Sequence, residues 1–263
     1  MGRAVANEAS RWKVAGASVI GKQHEANGGR CEDAWCWARR LLPCGHEAVA
    51  ACVCDGAGSA ANGWVGAQIA SRFLVYWLVN NIEKVFSYAG DEHKQVIVSA
   101  VKRQLRRLAL REKTALCSYA CTVVAALTVT DGRWLIAHLG DGAIVGSFGG
   151  ELRIVSAPRK GEFANETFFV TDDDAAANID IQSGGLGHPT APPEAFALFT
   201  DGVEGALINR HTGEVSRVLA RMFDWLRNFP EADVCVALEN NLTDVFRQRS
   251  SDDCSLVLIV QKR

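Results

Sequence analysis

Residues 121–155 read CTVVAALTVTDGRWLIAHLGDGAIVGSFGGELRIV. Apolar runs at Cys121–Thr130, Arg133–His138, Ala143–Phe148 and Leu152–Val155 are separated by Asp131-Gly132, Leu139–Gly142 and Gly149-Gly150. Two-residue links of the Asp-Gly or Gly-Gly kind make β-hairpins, so the stretch predicts an antiparallel meander. Outward from it, Val14–Ile20, Ala34–Ala38 and Val49–Cys54 are short apolar runs bounded by Gly-rich or polar turns, which is strand behaviour. Two helical stretches precede the meander, Asn62 to Val79 and Asp91 to Lys113. The second places Ile97, Val101, Leu105 and Leu108 on one face and Arg103, Arg107 and Arg111 on another. After a polar, Gly-rich stretch (Gly161–Pro193) come a strand at Ala195–Thr200, helices near Val215–Trp225 and Asp233–Phe246, and a β-rich run at Cys254–Gln261. Strands cluster and helices cluster. The expected class is α+β, antiparallel sheets covered by helices, instead of a βαβ alternation.

The 263 residues are 48% hydrophobic and 22% charged, the make-up of a globular protein with a substantial core, which excludes disorder and fibrous repeats. No Pro-rich tract, repeat or long charge block marks a linker, so residues 1–263 are expected to form one domain. Lys plus Arg total 28 against 30 Asp plus Glu. That balance recruits neither nucleic acid nor an anionic bilayer, and any anionic ligand must be held by a local device. No apolar run approaches the roughly 20 residues of a membrane span. Met1–Ala6 carries no apolar signal segment, and Ala6 stands where a myristoylation signal needs Ser or Thr; a cytoplasmic location is expected. Nine irregularly spaced cysteines read as reduced thiols, and Cys117-x3-Cys121 lacks the second pair of a zinc site. The basic face of Lys102–Lys113 lacks interleaved aromatics and reads as solvated. Trp35, Trp37, Trp64 and Trp77 read as packing residues, Asp172–Asp174 as a polar turn, and Gly184–Pro193 as either a flap or a plain surface connection.

Several apolar strands run into a carboxylate followed by Gly. Val49–Cys54 ends in Asp55-Gly56, Ala195–Thr200 in Asp201-Gly202, and Leu135–His138 continues through Leu139-Gly140 to Asp141-Gly142; Asp252-Asp253 directly precedes Cys254–Val260. One Asp-Gly is ordinarily just a turn, as Asp131-Gly132 is expected to be. Four such sites converging would form an oxygen-lined pocket whose mutual repulsion requires cations, and Mg²⁺ or Mn²⁺ suits it. Gly56-x-Gly58-x-x-Ala61 also satisfies the dinucleotide fingerprint. Asp55 would then sit beside the pyrophosphate, and Tyr76–Asn81, where an acidic strand end is needed, looks helical; the physics disfavours that reading.

Cys31-Glu32-Asp33, Val53–Gly58, Gly140-Asp141-Gly142, Thr200-Asp201-Gly202 and Asp252–Ser255 occur in the order and rough spacing of the metal-dependent protein phosphatases, the type 2C serine/threonine family. Gly161–Thr167 resembles a segment of its compact bacterial branch. The resemblance implies a four-layer αββα sandwich, two antiparallel sheets flanked by helices, with a two-metal centre in a cleft at one end. It implies that Asp55 bridges two Mg²⁺ or Mn²⁺ ions with Gly56 lending a carbonyl, that Asp201 and Asp252 hold one of them, that Glu32 and Asp33 bind metal-coordinated waters, and that Asp141 serves a third ion. A metal-bound water held by Asp55 and Asp201 would attack phosphorus, with no protein nucleophile. The implied partner is a phosphorylated protein, target of a serine/threonine kinase, and the implied state a monomer. Two positions depart from the family: Gly28 stands where an Arg clamps phosphate, and Ala57 where a His follows the first Asp-Gly. Arg30 and His24 are the nearby candidates for phosphate or proton partner. The gaps leave an alternative, a noncatalytic metal-binding phosphoprotein module.

Overall fold

Alternation within Glu47–Cys54 sets the layers, because all eight of its residues are buried. Val49, Ala51 and Val53 face an apolar layer with Trp12, Val14, Ile136, Phe196, Leu198 and Val257, while Ala48, Ala50, Cys52 and Cys54 face a second one with Ala67, Leu74 and Leu78. A strand buried on both faces must lie between two covering layers.

The structure is a computed structural model that describes residues 10–88, 90–158, 167–185, 191–210 and 212–262. Strand β1 (Trp12–Val19), helix α1 (Lys22–Ala26), β2 (Ala34–Leu41), β3 (Glu47–Cys54), α2 (Gly63–Asn80), α3 (Ile82–Ser87) and α4 (Gly90–Glu112) lead through a 3-10 turn to β4 (Val123–Val129), β5 (Trp134–Leu139), β6 (Ala143–Phe148) and β7 (Glu151–Ser156). Then come α5 (Ala175–Asn178), β8 (Asp180–Gly184), β9 (Ala195–Phe199), α6 (Asp201–Leu207), α7 (Val218–Asn228) and α8 (Glu231–Asn241), with a π-helical turn at Leu242–Phe246 before β10 (Cys254–Gln261). The strands form two antiparallel five-stranded sheets, ordered β1-β10-β9-β6-β7 and β2-β3-β4-β5-β8. Helix α2 lays Ala67, Ala70, Leu74 and Leu78, spaced three and four apart, on the outer face of the second sheet. Leu219, Met222, Phe223 and Leu226 of α7, with Val234 and Leu238 of α8, cover the first. The result is the expected α+β sandwich of helices, sheet, sheet and helices. None of the described helices is long and apolar enough to cross a membrane, and all nine cysteines are free thiols.

The expected meander is corrected. Asp131-Gly132 and Gly149-Gly150 do close hairpins, but the first hairpin, β4–β5, belongs to one sheet and the second, β6–β7, to the other. Beyond β5 the edge is taken by β8, so β6 leaves and pairs with β9, Ala143 opposite Phe199. Gly140 makes the crossing possible: its φ of +116° suits only glycine, and a Cβ there would fall 2.6 Å from Thr122 Cγ2. Three further differences are local. Val215 pairs with Ile208 in an isolated bridge and the helix begins at Val218; Asp233–Phe246 is helical throughout, α-helix to Asn241 and π-helical to Phe246; and α1, α3, α5, α6 and β8 are short elements that periodicity did not single out. Gly161–Glu166 and 186–190, within the two Gly-rich segments noted above, lie outside the described residues.

Phe196, fully buried between the sheets, should cost about 3–5 kcal/mol when replaced by Ala, whereas Leu41→Ala, at a side chain 71% exposed, should stay within about 0.5 kcal/mol. Urea unfolding midpoints of the two variants check the contrast.

Candidate metal centre

Each carboxylate of the centre sits where an apolar strand runs out. Asp55 follows β3 and is clamped by Thr122, whose Oγ1 accepts the Asp55 N–H at 2.9 Å while the Thr122 N–H donates to the Asp55 carbonyl at 2.8 Å. Gly56 bridges to Cys121 and donates its N–H to the Glu32 carbonyl at 3.2 Å, which ties the Glu32-Asp33 segment to the same turn. Asp141 stands on the crossing between the sheets and accepts the Thr167 hydroxyl at 2.6 Å. Asp201 opens α6, where a carboxylate suits the positive end of the helix. Gly202, beside it, lies so near β10 that a Cβ would collide with the Asp253 carbonyl oxygen. Only glycine allows the two backbones to meet there.

Carboxylate oxygens of Asp55, Asp141 and Asp201 lie within 4.8 Å of one another. Asp33 is 7% exposed and joins from below: the Thr200 hydroxyl donates to its Oδ2 at 2.7 Å, and Oδ1 has no partner among the described residues. The Asp55 carboxyl is held well above its ordinary pKa, first by loss of hydration and then by repulsion from Asp33, Asp201, Asp252 and Asp141. Asp33 is raised too, desolvation outweighing the hydrogen bonds from Thr200 and Ser255, with Asp253 and Asp201 adding repulsion. A buried, unpartnered carboxylate oxygen and a cluster of mutually repelling acids fit hard divalent cations.

Asp252 is placed differently. It is exposed, and its carboxylate groups with His24 and Asp253 within 4.8 Å, although its charge still reaches Asp55. Its neighbour Asp253, noted in the sequence only as half of the Asp252-Asp253 pair and given no role there, is the buried one of the two. Its Oδ1 accepts the Gly21 N–H at 2.6 Å, its Oδ2 accepts the Glu32 N–H at 2.5 Å and faces His24 Nδ1 at 3.0 Å, so one buried carboxylate staples three segments. Its position against the start of β10 was the available signal. Burial alone would lower the His24 pKa, but the hydrogen bond and charge of Asp253, with Glu32 and Asp252, hold it above the ordinary value. Glu32 is raised, by desolvation first. Arg30 rests its guanidinium 4.4 Å from the centroid of the Trp64 ring. Trp64 is therefore more than the packing residue expected. Gly28 has open space where a Cβ would be, and Ala57 is buried.

The Protein phosphatase 2C family profile matches residues 20–246. The chain belongs to that family. Serine/threonine-protein phosphatase 3 of Escherichia coli (strain K12) is 29% identical over 199 residues, 75% of this chain and 76% of that protein. Among solved structures, serine/threonine phosphatase Stp1 from Staphylococcus aureus superposes with a TM-score of 0.61 at 14% identity, covering 97% of this chain and 96% of its own. The catalytic domain of the serine/threonine protein phosphatase PstP, solved with two manganese ions, gives 0.60 at 14% identity over 96% and 99%. At such identities these structures share the fold. This protein phosphatase 2C member is a metal-dependent serine/threonine protein phosphatase using Mg²⁺ or Mn²⁺, and the noncatalytic alternative is not favoured.

Between an unfolded pKa near 4 and the raised folded values of Asp33 and Asp55, the metal-free fold binds more protons than the unfolded chain, so their contribution to stability falls as pH rises. Metal-free Asp55→Asn, which removes one repelling charge, should therefore melt higher than metal-free wild type at pH 7, and the gap should close near pH 4. Thermal scans in chelator at both pH values test this; a variant that melts lower at pH 7 would contradict it.

Proposed function

We propose that Asp55, Asp201 and Asp252 hold two divalent cations, with the Gly56 carbonyl on one of them and Asp141 serving a third, and that the centre hydrolyses phosphoserine and phosphothreonine in proteins. The observation that carries this is the convergence of Asp55, Asp141 and Asp201 from separate strand ends onto one point. When bound, two such ions neutralise phosphoryl oxygens and acidify a water for in-line attack on phosphorus. Glu32 and Asp33 accept hydrogen bonds from water at the site, and the Thr200 hydroxyl keeps Asp33 turned so that Oδ1 is the free acceptor. Arg30, steadied on Trp64, donates to a phosphoryl oxygen in place of an Arg at position 28. His24, kept protonated to higher pH by Asp253, gives its proton to the departing serine or threonine oxygen. The cysteines take no part: Cys54 is fully buried and Cys254 is pushed up to about 12 by desolvation and by Asp33. In this reading the chain acts as one monomeric, cytoplasmic domain on targets of a serine/threonine kinase, with no nucleic-acid or membrane partner.

Chelator-stripped protein should release phosphate from p-nitrophenyl phosphate and from a phosphothreonine peptide only after Mn²⁺ is added, and Asp55→Asn should lose at least about 100-fold in rate. Turnover without metal, or an active Asp55→Asn, would overturn the assignment; turnover of small phosphates but no phosphopeptide would remove the protein substrate.

The role given to His24 predicts a leaving-group signature. His24→Gln should slow the phosphothreonine peptide by about 100-fold and p-nitrophenyl phosphate far less, because p-nitrophenolate departs without a proton. Equal losses on both substrates would place His24 among the structural residues.

A further inference from the structure

Beside the carboxylates opens a cleft of about 830 Å³ whose near wall includes Asp201 and Asp252. It runs between residues 205–210 and 214–216 on one side and 249–252 on the other, with Arg210 and Arg249 in its lining. A phosphoryl group needs a small part of that space, since clefts of about 300–1,000 Å³ hold ligands of drug size. A second hollow, about 620 Å³, shares Glu214 and Val215 with the first and adds Arg153 and Arg217. The two make one trough leading away from the metal centre.

The trough is basic in a chain whose formal charge is -2. Four arginines line it against Glu214 beyond the metal carboxylates, and Arg217 and Arg249 have no ion-pair partner among the described residues. Arg210 is built in. Glu204 of α6, its side chain 2% exposed, takes hydrogen bonds from Arg210 Nε and Nη2 on a single oxygen, Oε2. A buried carboxylate left unpaired would be strongly unfavourable, so this arginine is held in place. Its side chain remains 59% exposed, with Nη1 unpartnered among the described residues. Arg153 is engaged by Glu151 at 2.7 Å and contributes less free charge.

We propose that this trough seats the stretch of the substrate protein next to its phosphorylated residue, and that Arg249, Arg210 and Arg217 favour substrates carrying an anionic side chain there. The proposal rests on the phosphatase reading of the metal centre. The recognised chemistry is an anion on an extended polypeptide, supplied by Asp or Glu or by a second phosphorylated residue. Exposed pairs of this kind steer and select more than they tighten, and they weaken with salt.

The test uses the full chain with Mn²⁺ and three phosphothreonine peptides that differ only in flanking residues: Ala, Asp, or a second phosphothreonine whose own release is followed separately. The kcat/KM for the Asp-flanked peptide should exceed that for the Ala-flanked one by about fivefold at low salt. The ratio should shrink toward one at high salt, and the charge-reversed variant Arg217→Glu/Arg249→Glu should bring it below one. Both side chains are exposed, so the variant folds; Arg210 is left intact to keep Glu204 paired. Preference for the doubly phosphorylated peptide alone would support the trough and assign it to phosphate. Equal rates on all three peptides, or a preference that survives charge reversal, would overturn it. Hydrolysis of p-nitrophenyl phosphate with equal peptide rates sinks the trough alone; no hydrolysis of any substrate sinks the phosphatase reading and the trough with it.

Discussion

Carboxylates held facing one another are the constraint on which the rest of this structure depends. Asp33 is buried and Asp55 half-buried, both stripped of much of their hydration, Asp141 and Asp201 add charge at short range, and the backbone permits no retreat: Thr122 clamps Asp55, the Gly202–Asp253 contact fixes Asp201, and Thr200 orients Asp33. Folding brings these acids together because the apolar strands behind them are buried on both faces, and that burial stabilises far more than the repulsion costs. The site is thus destabilised locally and sustained by the sandwich around it, which is why it is so receptive to cations.

Around this acidic point the chain arranges a compensating ring. Arg30 on Trp64, His24 against Asp253 and Arg210 against Glu204 each set a cationic group near the centre by pairing or stacking it with a fixed neighbour. The three come from different parts of the chain, and none occupies position 28 or 57. A long cationic side chain loses much rotamer entropy when it grips a phosphate, and prior anchoring reduces that loss.

The sandwich and the clustering of Asp55, Asp141 and Asp201 were legible because their signals are local. An apolar strand ending in Asp-Gly announces itself at 55, 141 and 201 whatever the tertiary structure, and the helical faces of 63–80 and 90–112 show in their spacing. Turn chemistry, however, says that a chain reverses without saying into which sheet it returns, so Leu139–Gly142 looked like one more hairpin until β8 and β9 were seen to hold the flanking places. Asp201-Gly202 looked like a turn for a similar reason: a helix start with Gly in its first turn makes sense only once the Asp253 carbonyl is known to lie against it. Thr122 and Thr200 act through partners remote in sequence, and no spacing rule points to them.

The crossing at Asp141 also decides what kind of object the metal centre is mechanically. Asp55 hangs from the sheet of β3, Asp201 from the sheet of β9, and Asp141 from the strap that joins the two. Cations seated among them would act as a buckle at one rim, adding to the apolar grip of side chains such as Phe196 and Ile136 and to hydrogen bonds that cross between the sheets, from Gln182 to the Val155 carbonyl and from Arg39 to the Trp12 carbonyl. Unbuckled, the sandwich would keep its layers, while the rim where the three acids meet would lose a tie reaching into both sheets.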